Sequence, residues 1–450
     1  MNTIAAIATA IGSGGIGIIR LSGPASLYIA LSLLDISSLE PRKMMFVKVN
    51  DPDKRCLLDE GCCVYFKGPF SYTGEDVVEF HLHASSYILK RVLDLLIEKG
   101  AVLAQAGEFT KRAFLNGKLT LEQAEAVGDL IASEHEFSHA VAMNHLQGAL
   151  FKRLATCKKI CLEILAHIEG SIDFPDEVPA INREEVSQQL LLQHDWIKQV
   201  LAQQDFGRIL KKGVKCLIVG RPNVGKSTLF NTLVGESRAL VSNQAGTTRD
   251  YIDVTVMLQG TPFHFIDTAG IHDSDDFLEQ EGIAKLDALI QKADICIWVE
   301  NPDWAKYQEQ CAHIESLLEQ KDLFLVMNKC EEMHEFDNIH FCKKGSRSLL
   351  KVSAKNQQGL DTLKEALLQF ISDKKNNFSE DLLCSLRQEK ALQGVDHSLT
   401  QVMNGLKEAH FDDLLSIDLK TVIQFCDDIG GEGIHEEVLD FVFSTFCVGK

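Results

Sequence analysis

The sequence predicts a multidomain α+β and α/β protein: an N-terminal α+β domain, a discontinuous helical domain, and an inserted P-loop domain with a mainly parallel sheet. Three observations predict it. The chain has 450 residues, enough for about three domains of ~150 residues each. Its hydrophobic period changes three times, from short apolar runs to helical spacing at Thr120, from helical spacing to strands alternating with helix-length segments at Lys215, and back to helical spacing after Ser379. Finally, Gly220-Arg221-Pro222-Asn223-Val224-Gly225-Lys226-Ser227 fits G-x-x-x-x-G-K-[ST] between a predicted strand and a helix start at Thr228-Leu229-Phe230.

Within residues 1–117, Thr3 to Ala10, Met44 to Val49 and Gly61 to Phe66 read as strands, and Ser86 to Lys99 has helical spacing. Residues 118–212 open with Thr120 and Gln123 in capping-box spacing, ahead of Leu121, Ala124, Val127, Leu130 and Ile131 on one helical face. One long helix is expected from about Ser138 to Gly170, stopping near Phe174-Pro175, and another from about Arg183 to Gly207. Residues 213–373 supply the strands Cys216 to Val219, Phe263 to Ile266, Ile295 to Val299, Leu323 to Met327 and Leu349 to Val352. Their alternation with helix-length segments is the mark of a parallel sheet with crossover helices. A polar stretch from Asp373 to Ser379 closes that module. Residues 374–450 return to helical spacing over Leu382 to Ala409, Thr421 to Ile429 and His435 to Phe446, so 118–212 and 374–450 are expected to be halves of one domain.

With 45% hydrophobic and 24% charged residues, 31 Gly and 9 Pro, the composition excludes collagen-like, mucin-like and largely disordered classes. The formal charge of −19 argues against sequence-independent nucleic-acid binding, which needs Lys and Arg against phosphates. That charge is uneven: residues 1–117 are neutral, while 118–212, 213–373 and 374–450 carry −4, −8 and −7. Thirteen cysteines, an odd number without CxxC or zinc-type Cys/His spacing, read as reduced thiols, with Cys157, Cys216 and Cys296 as small buried hydrophobes. The start MNTIAAIATAIGSGGIGIIR lacks a basic leader and is broken by four glycines, and no uninterrupted apolar run reaches 18 residues. A cytoplasmic protein without a membrane span is expected.

The glycines of the 220–227 segment let backbone N–H groups curl around phosphate oxygens at a helix N-terminus. Asn223, Val224, Gly225, Lys226, Ser227 and Thr228 are the expected phosphate contacts, with Lys226 neutralising the outer phosphates and Ser227 on Mg²⁺. The stretch Ser242, Asn243, Gln244, Ala245, Gly246, Thr247, Thr248 occupies the first-switch position, where Thr248 can close over Mg²⁺ and the γ-phosphate. Asp267-Thr268-Ala269-Gly270 ends a strand, where the carboxylate can hold Mg²⁺ through water and the Gly270 amide can meet the γ-phosphate. Asn328-Lys329-Cys330-Glu331 and Ser353-Ala354-Lys355 resemble the guanine-reading segments of GTPases. Glu331 stands where their pattern N-K-x-D has Asp; its longer carboxylate still accepts from the guanine N1 and N2 donors, and GTP is the expected substrate. Ile271 follows Gly270 where many GTPases place a water-orienting Gln. The carboxylates Asp273, Asp275, Asp276, Glu279 and Glu281 are the alternatives nearby.

With GRPNVGKS, GTTRD, DTAG, the N-terminal GIGIIR, the segment GEFTKRAFLNGKLTLEQAEAV and a terminal Cys-Val-Gly-Lys, the whole chain resembles the MnmE (TrmE) family of tRNA-modification GTPases. The resemblance implies a homodimer that works with the FAD- and NADH-dependent MnmG (GidA), in a heterotetramer or larger complex, at the wobble uridine of certain tRNAs. It implies an N-terminal domain of folate-binding type, taking 5-formyltetrahydrofolate or a related tetrahydrofolate at Arg20, Glu79, Lys118 and Lys450. The follow-on His83-Ala84-Ser85-Ser86 departs from the family's glycine-rich pattern. K⁺ held by Asn223, Ser242, Gln244 and Thr247 is implied to stimulate hydrolysis and G-domain pairing, with Glu279 orienting water. Cys447 is either a nucleophile near the one-carbon donor or a structural thiol. A ribosome-assembly GTPase and a nucleotide-gated scaffold without significant hydrolysis are the alternative readings.

Overall fold

The computed structural model describes residues 2–10, 12, 14–54, 56–133, 135–204, 207–209, 213–236, 252–267, 288–301, 322–330, 347–375, 384–408, 412–433 and 436–450. The chain forms two compact units, one of Met1–Ala132, Ala142–Lys198 and Cys384–Lys450, the other of Ser133–Val141 and Gln199–Leu383. No helix among the described residues is long and apolar enough to cross a membrane.

In the first unit, β1 (Ile4–Ile7), β2 (Gly14–Ser22), β3 (Met45–Asp51), β4 (Cys56–Phe66), β5 (Val77–Ala84) and β6 (Val102–Leu103) form one sheet in the order β3-β4-β5-β2-β1-β6. Alternation sets its inner face: Ile19 and Leu21 of β2 and Val78, Phe80 and Leu82 of β5 are buried. Leu89, Val92, Leu95 and Leu96, spaced along α2 (Ser86–Glu98), close over that face. The short helices α1 (Ser26–Leu31) and α3 (Glu108–Leu115) complete this part.

The helical part begins at α4 (Leu121–Ala132), and the capping box read from the sequence is formed. The Gln123 amide donates to Thr120 Oγ1 at 3.3 Å, and the Thr120 amide donates to Gln123 Oε1 at 3.0 Å. The single helix expected over 138–170 is instead two, α5 (Glu136–Leu146) and α6 (Ala149–Asp173). Gly148 separates them with a left-handed φ of 69°, and the side chain of Gln123 caps the Leu146 carbonyl at 2.9 Å. Next come α7 (Arg183–Ala202) and, on the returning chain, a helix over Leu386–Lys407 with a Ser385–Gln388 capping box, one over Asp412–Gly430 and one over Glu436–Ser444. The helix over 412–430 starts earlier than its apolar periodicity indicated, since the acidic Asp412 and Asp413 occupy its first turn.

The second unit holds β7 (Val214–Val219), α8 (Lys226–Glu236), β8 (Ile252–Leu258), β9 (Thr261–Asp267), β10 (Ile295–Glu300), β11 (Asp322–Met327), β12 (Arg347–Lys351) and α9 (Leu360–Lys375). Its sheet runs β12-β11-β10-β7-β9-β8. Every neighbouring pair is parallel except β8 with β9. Cys216 and Ile218 face one core and Leu217 and Val219 the other, so the central strands are apolar throughout. The β8–β9 hairpin was not anticipated, although Gln259 and Gly260 carry the positive φ values, 46° and 80°, that a tight hairpin turn uses.

One buried carboxyl in the first unit has a stability consequence. Glu122 of α4 accepts from the Phe151 amide at 3.0 Å, lies 3.9 Å from His145 Nδ1, and has no hydrogen-bond partner on Oε1. Burial pushes it up from 4.5 to about 7, against the Phe151 and Leu150 amides that favour the charged form; Glu125 adds to the rise and Arg387 opposes it. The folded chain therefore holds this proton to higher pH than the unfolded chain. The associated stability is full below about 4.5 and declines as pH rises towards about 7. Glu122→Gln keeps an acceptor for the Phe151 amide without a charge to bury. It is expected to stabilise the protein at pH 8 by on the order of 3 kcal/mol and to have no effect near pH 4. Melting curves of both proteins across this range test it; a pH-independent difference would refute the assignment.

Candidate functional site

The site lies at the carboxyl ends of the parallel strands, where α/β sheets bind ligands. The chain leaves β7 at Val219 and enters α8 at Lys226 through a loop that two glycines make possible. A Cβ on Gly220 would stand 2.2 Å from the Val299 carbonyl oxygen, and one on Gly225 would stand 2.3 Å from Asn328 Nδ2. Gly225 has φ 94° and Asn223 φ 64°, so the loop turns its amides inward through conformations that most side chains resist. Val224 is buried and anchors the turn, while Asn223, Ser227 and Thr228 are exposed.

Lys226 is 6% exposed, and its ammonium donates to the Gly220 and Arg221 carbonyls, each at 2.9 Å. Burial lowers its pKa, while the charges of Asp267 and Glu300 act in the opposite direction. Two carbonyl contacts leave the third N–H of the ammonium for a phosphate oxygen. Asp267 closes β9 beside β7, opposite Ile218, and is buried.

The two segments read as guanine-binding are joined to this loop. Asn328 Nδ2 donates to the Val224 carbonyl at 3.0 Å, and Asn328 Oδ1 accepts from the Ala354 amide at 3.0 Å. Lys329 Nζ donates to the Asn223 carbonyl at 2.6 Å. Ser353 is buried in a turn that exchanges backbone hydrogen bonds with Gln358, Thr232 of α8 donates to the Ala354 carbonyl at 3.2 Å, and Lys355 is exposed. Ser242, Asn243, Gln244, Ala245, Gly246, Thr247, Thr248, Thr268, Ala269, Gly270, Glu279 and Glu331 lie outside the described residues.

Absent from the sequence reading was an ion pair between the loop's half-buried Arg221 and the buried Glu300 at the end of β10. Arg221 donates from Nε to both Glu300 oxygens, at 3.1 and 3.0 Å, and from Nη2 to Oε2 at 2.7 Å. The indole N–H of Trp298 donates to Glu300 Oε1 at 3.1 Å. The only sequence signal was an acidic residue closing an otherwise apolar strand, Ile295-Cys296-Ile297-Trp298-Val299-Glu300.

In the first unit, cross-strand register places Arg20 of β2 opposite Glu79 of β5, with Arg20 Nε 2.8 Å from Glu79 Oε1. The guanidinium lies 5.7 Å from the ring centres of both Tyr72 and Phe109. The terminal tetrapeptide is pinned nearby: Val448 bridges Ala106, and the Phe109 amide donates to the Lys450 carbonyl at 3.0 Å. Cys447 is exposed. Lys118 donates to the Pro69 carbonyl at 3.0 Å, on the loop that leads to Tyr72.

The parallel sheet, the glycine-lined loop delivering Lys226 to a helix start, and the asparagine that ties this loop to the Ser353–Ala354 turn define a P-loop GTPase. Comparison with known proteins narrows the class. Residues 3–118 match the family described as GTP-binding protein TrmE N-terminus, and residues 121–447 match the MnmE helical domain. The tRNA modification GTPases MnmE of Alkaliphilus metalliredigens and Clostridioides difficile are each 38% identical to it, over 100% of this chain and 99% of theirs. That of Aquifex aeolicus is 38% identical over 99% of both chains. This chain belongs to the MnmE family of GTPases.

Gly225→Ala tests the close approach. The added methyl must displace Asn328 at a strained φ, so GDP affinity is expected to fall roughly 10- to 100-fold, in line with 1–3 kcal/mol of local strain. Titration with a fluorescent GDP measures it; unchanged affinity would show that the loop adapts freely.

Proposed function

We propose that this chain is a GTP hydrolase acting in the carboxymethylaminomethyl modification of the wobble uridine of certain tRNAs, in the cytoplasm and as a homodimer, with the flavin- and NADH-dependent MnmG as partner. The observation that carries the GTPase part is the Asn328 bridge, which holds the phosphate loop and the Ser353–Ala354 turn as one body. Full-length similarity to proteins named tRNA modification GTPase supports the tRNA part.

Lys226 neutralises the outer phosphates, and Ser227 with Thr248 would hold Mg²⁺. Asn223, Ser242, Gln244 and Thr247 would hold K⁺, which would supply the positive charge that an arginine finger provides in other GTPases. Glu279 orients the attacking water and Thr248 closes over the γ-phosphate. Asn328, Lys329, Glu331 and Ser353 to Lys355 read guanine. Hydrolysis then drives pairing and release of the G domains. In the N-terminal part, Arg20 paired with Glu79 between two aromatic rings suits a flat, polar heterocycle; these residues, with Lys118 and Lys450, would hold the tetrahydrofolate that supplies a one-carbon unit. Cys447, exposed on the tetrapeptide that Phe109 anchors, would be the nucleophile beside that group if it is more than a structural thiol. With −19 overall and a neutral first 117 residues, tRNA contact fits the N-terminal part, and affinity for RNA depends on the partner.

GTP hydrolysis is expected to run faster in K⁺ than in Na⁺, and Glu279→Ala to retain nucleotide binding while losing at least about 10²-fold in turnover. Normal turnover of Glu279→Ala in K⁺ would overturn its assignment. Mass spectrometry of tRNA from a deletion strain tests the pathway: unchanged wobble uridines with abnormal ribosomal particles would favour ribosome assembly instead.

A further inference from the structure

A carboxylate at the end of a fully buried strand is expensive to desolvate and survives only when well paired. Glu300 is 1% exposed at the end of β10, whose other five residues are apolar and buried. Its side chain accepts four hydrogen bonds, three from Arg221 and one from Trp298. Its main-chain carbonyl accepts the Asn328 amide at 2.7 Å. One residue thus holds the phosphate loop by its side chain and the guanine-reading segment by its backbone.

Arg221 links this buried carboxylate to the reacting end of the site. Its guanidinium is held by Glu300, and its own carbonyl is one of the two that hold the Lys226 ammonium. The other carbonyl belongs to Gly220, whose backbone runs so close to β10 that a Cβ there would stand 2.2 Å from the Val299 oxygen. Displacing the guanidinium therefore displaces a ligand of the lysine.

We propose that Arg221 and Glu300 are positioning residues of the GTPase reaction: their ion pair sets the Gly220 and Arg221 carbonyls that aim Lys226 at the outer phosphates. The proposal rests on residues 220–227 being the GTP phosphate loop. Neither side chain has to touch the nucleotide. Pre-orientation of this kind lowers the reorganisation needed when the triphosphate arrives, and small misplacements are costly in rate.

The test uses the full chain in three forms: wild type, Arg221→Lys, and the double variant Arg221→Met with Glu300→Met. The apolar pair removes both charges together, which avoids stranding one of them in the interior. Melting temperature, GDP affinity, turnover at saturating GTP and preference for GTP over ATP are measured for each. The double variant is expected to fold, to bind GDP roughly 10- to 100-fold more weakly and to turn over more slowly. Its preference for guanine is expected to persist, because the Glu300 backbone bond to Asn328 is untouched. Arg221→Lys keeps the charge against Glu300 but loses the bidentate fork. It is expected to melt near the wild-type temperature and still bind GDP several-fold more weakly, and it decides the question if the double variant does not fold. Wild-type affinity and turnover in either folded variant would overturn the proposal. Failure of the wild type itself to bind GTP would instead overturn the phosphate-loop assignment.

Discussion

Burying the Lys226 ammonium is the constraint on which the second unit depends. An ammonium removed from water must find oxygen acceptors, and at 6% exposure Lys226 finds them in two main-chain carbonyls of its own loop. A carbonyl can face inward there only if the loop runs tight against the ends of the neighbouring strands, which explains why Gly220 meets Val299 and Gly225 meets Asn328 without space for a methyl group. The charges that oppose the lysine's desolvation, Asp267 and Glu300, come from the strands on either side of β7. The parallel order is what delivers both to one end of the sheet.

A second close approach organises the first unit. The terminal tetrapeptide runs back against the start of the chain, and a Cβ on Gly449 would lie 2.3 Å from the Ile7 carbonyl oxygen. At Gly107, with φ 64°, a Cβ would likewise lie 2.7 Å from the Phe443 carbonyl oxygen. The last helix and tail are thereby held on the start of α3, which carries Phe109, the same ring that flanks Arg20. Backbone contacts, which do not depend on side-chain identity beyond glycine, fix the end of the chain near the Arg20–Glu79 pair.

Local features were legible in the sequence because their physics is local. The capping box at Thr120 and the strand–loop–helix at 219–226 each involve residues a few positions apart, whose hydrogen bonds follow from spacing alone. The break at Gly148 was missed because apolar periodicity continues across it, and a glycine within a helical pattern does not by itself reveal a left-handed φ. The β8–β9 hairpin was missed because its turn, Gln259-Gly260, lacks the usual asparagine or aspartate. The Arg221–Glu300 pair joins residues 79 positions apart, and the anchoring of Lys450 on Phe109 spans most of the chain. The first depends on strand order and the second on where the tail docks, and spacing encodes neither.

Two buried glutamates show how the same side chain is accommodated by different means. Glu300 is ringed by donors, and the guanidinium that satisfies it is also the element that shapes the phosphate loop. Glu122 meets backbone amides on one oxygen only, and desolvation holds its proton up to about 7. A bidentate cation keeps a carboxylate fixed in one geometry, whereas a carboxyl held by desolvation changes its charge when the surroundings change. Fixed geometry is what a phosphate site requires, because the transition state of phosphoryl transfer is stabilised by groups already in place. An ion pair, despite its desolvation cost, is therefore the appropriate solution beneath Lys226, and an apolar contact of equal stability would leave the lysine's ligands free to drift.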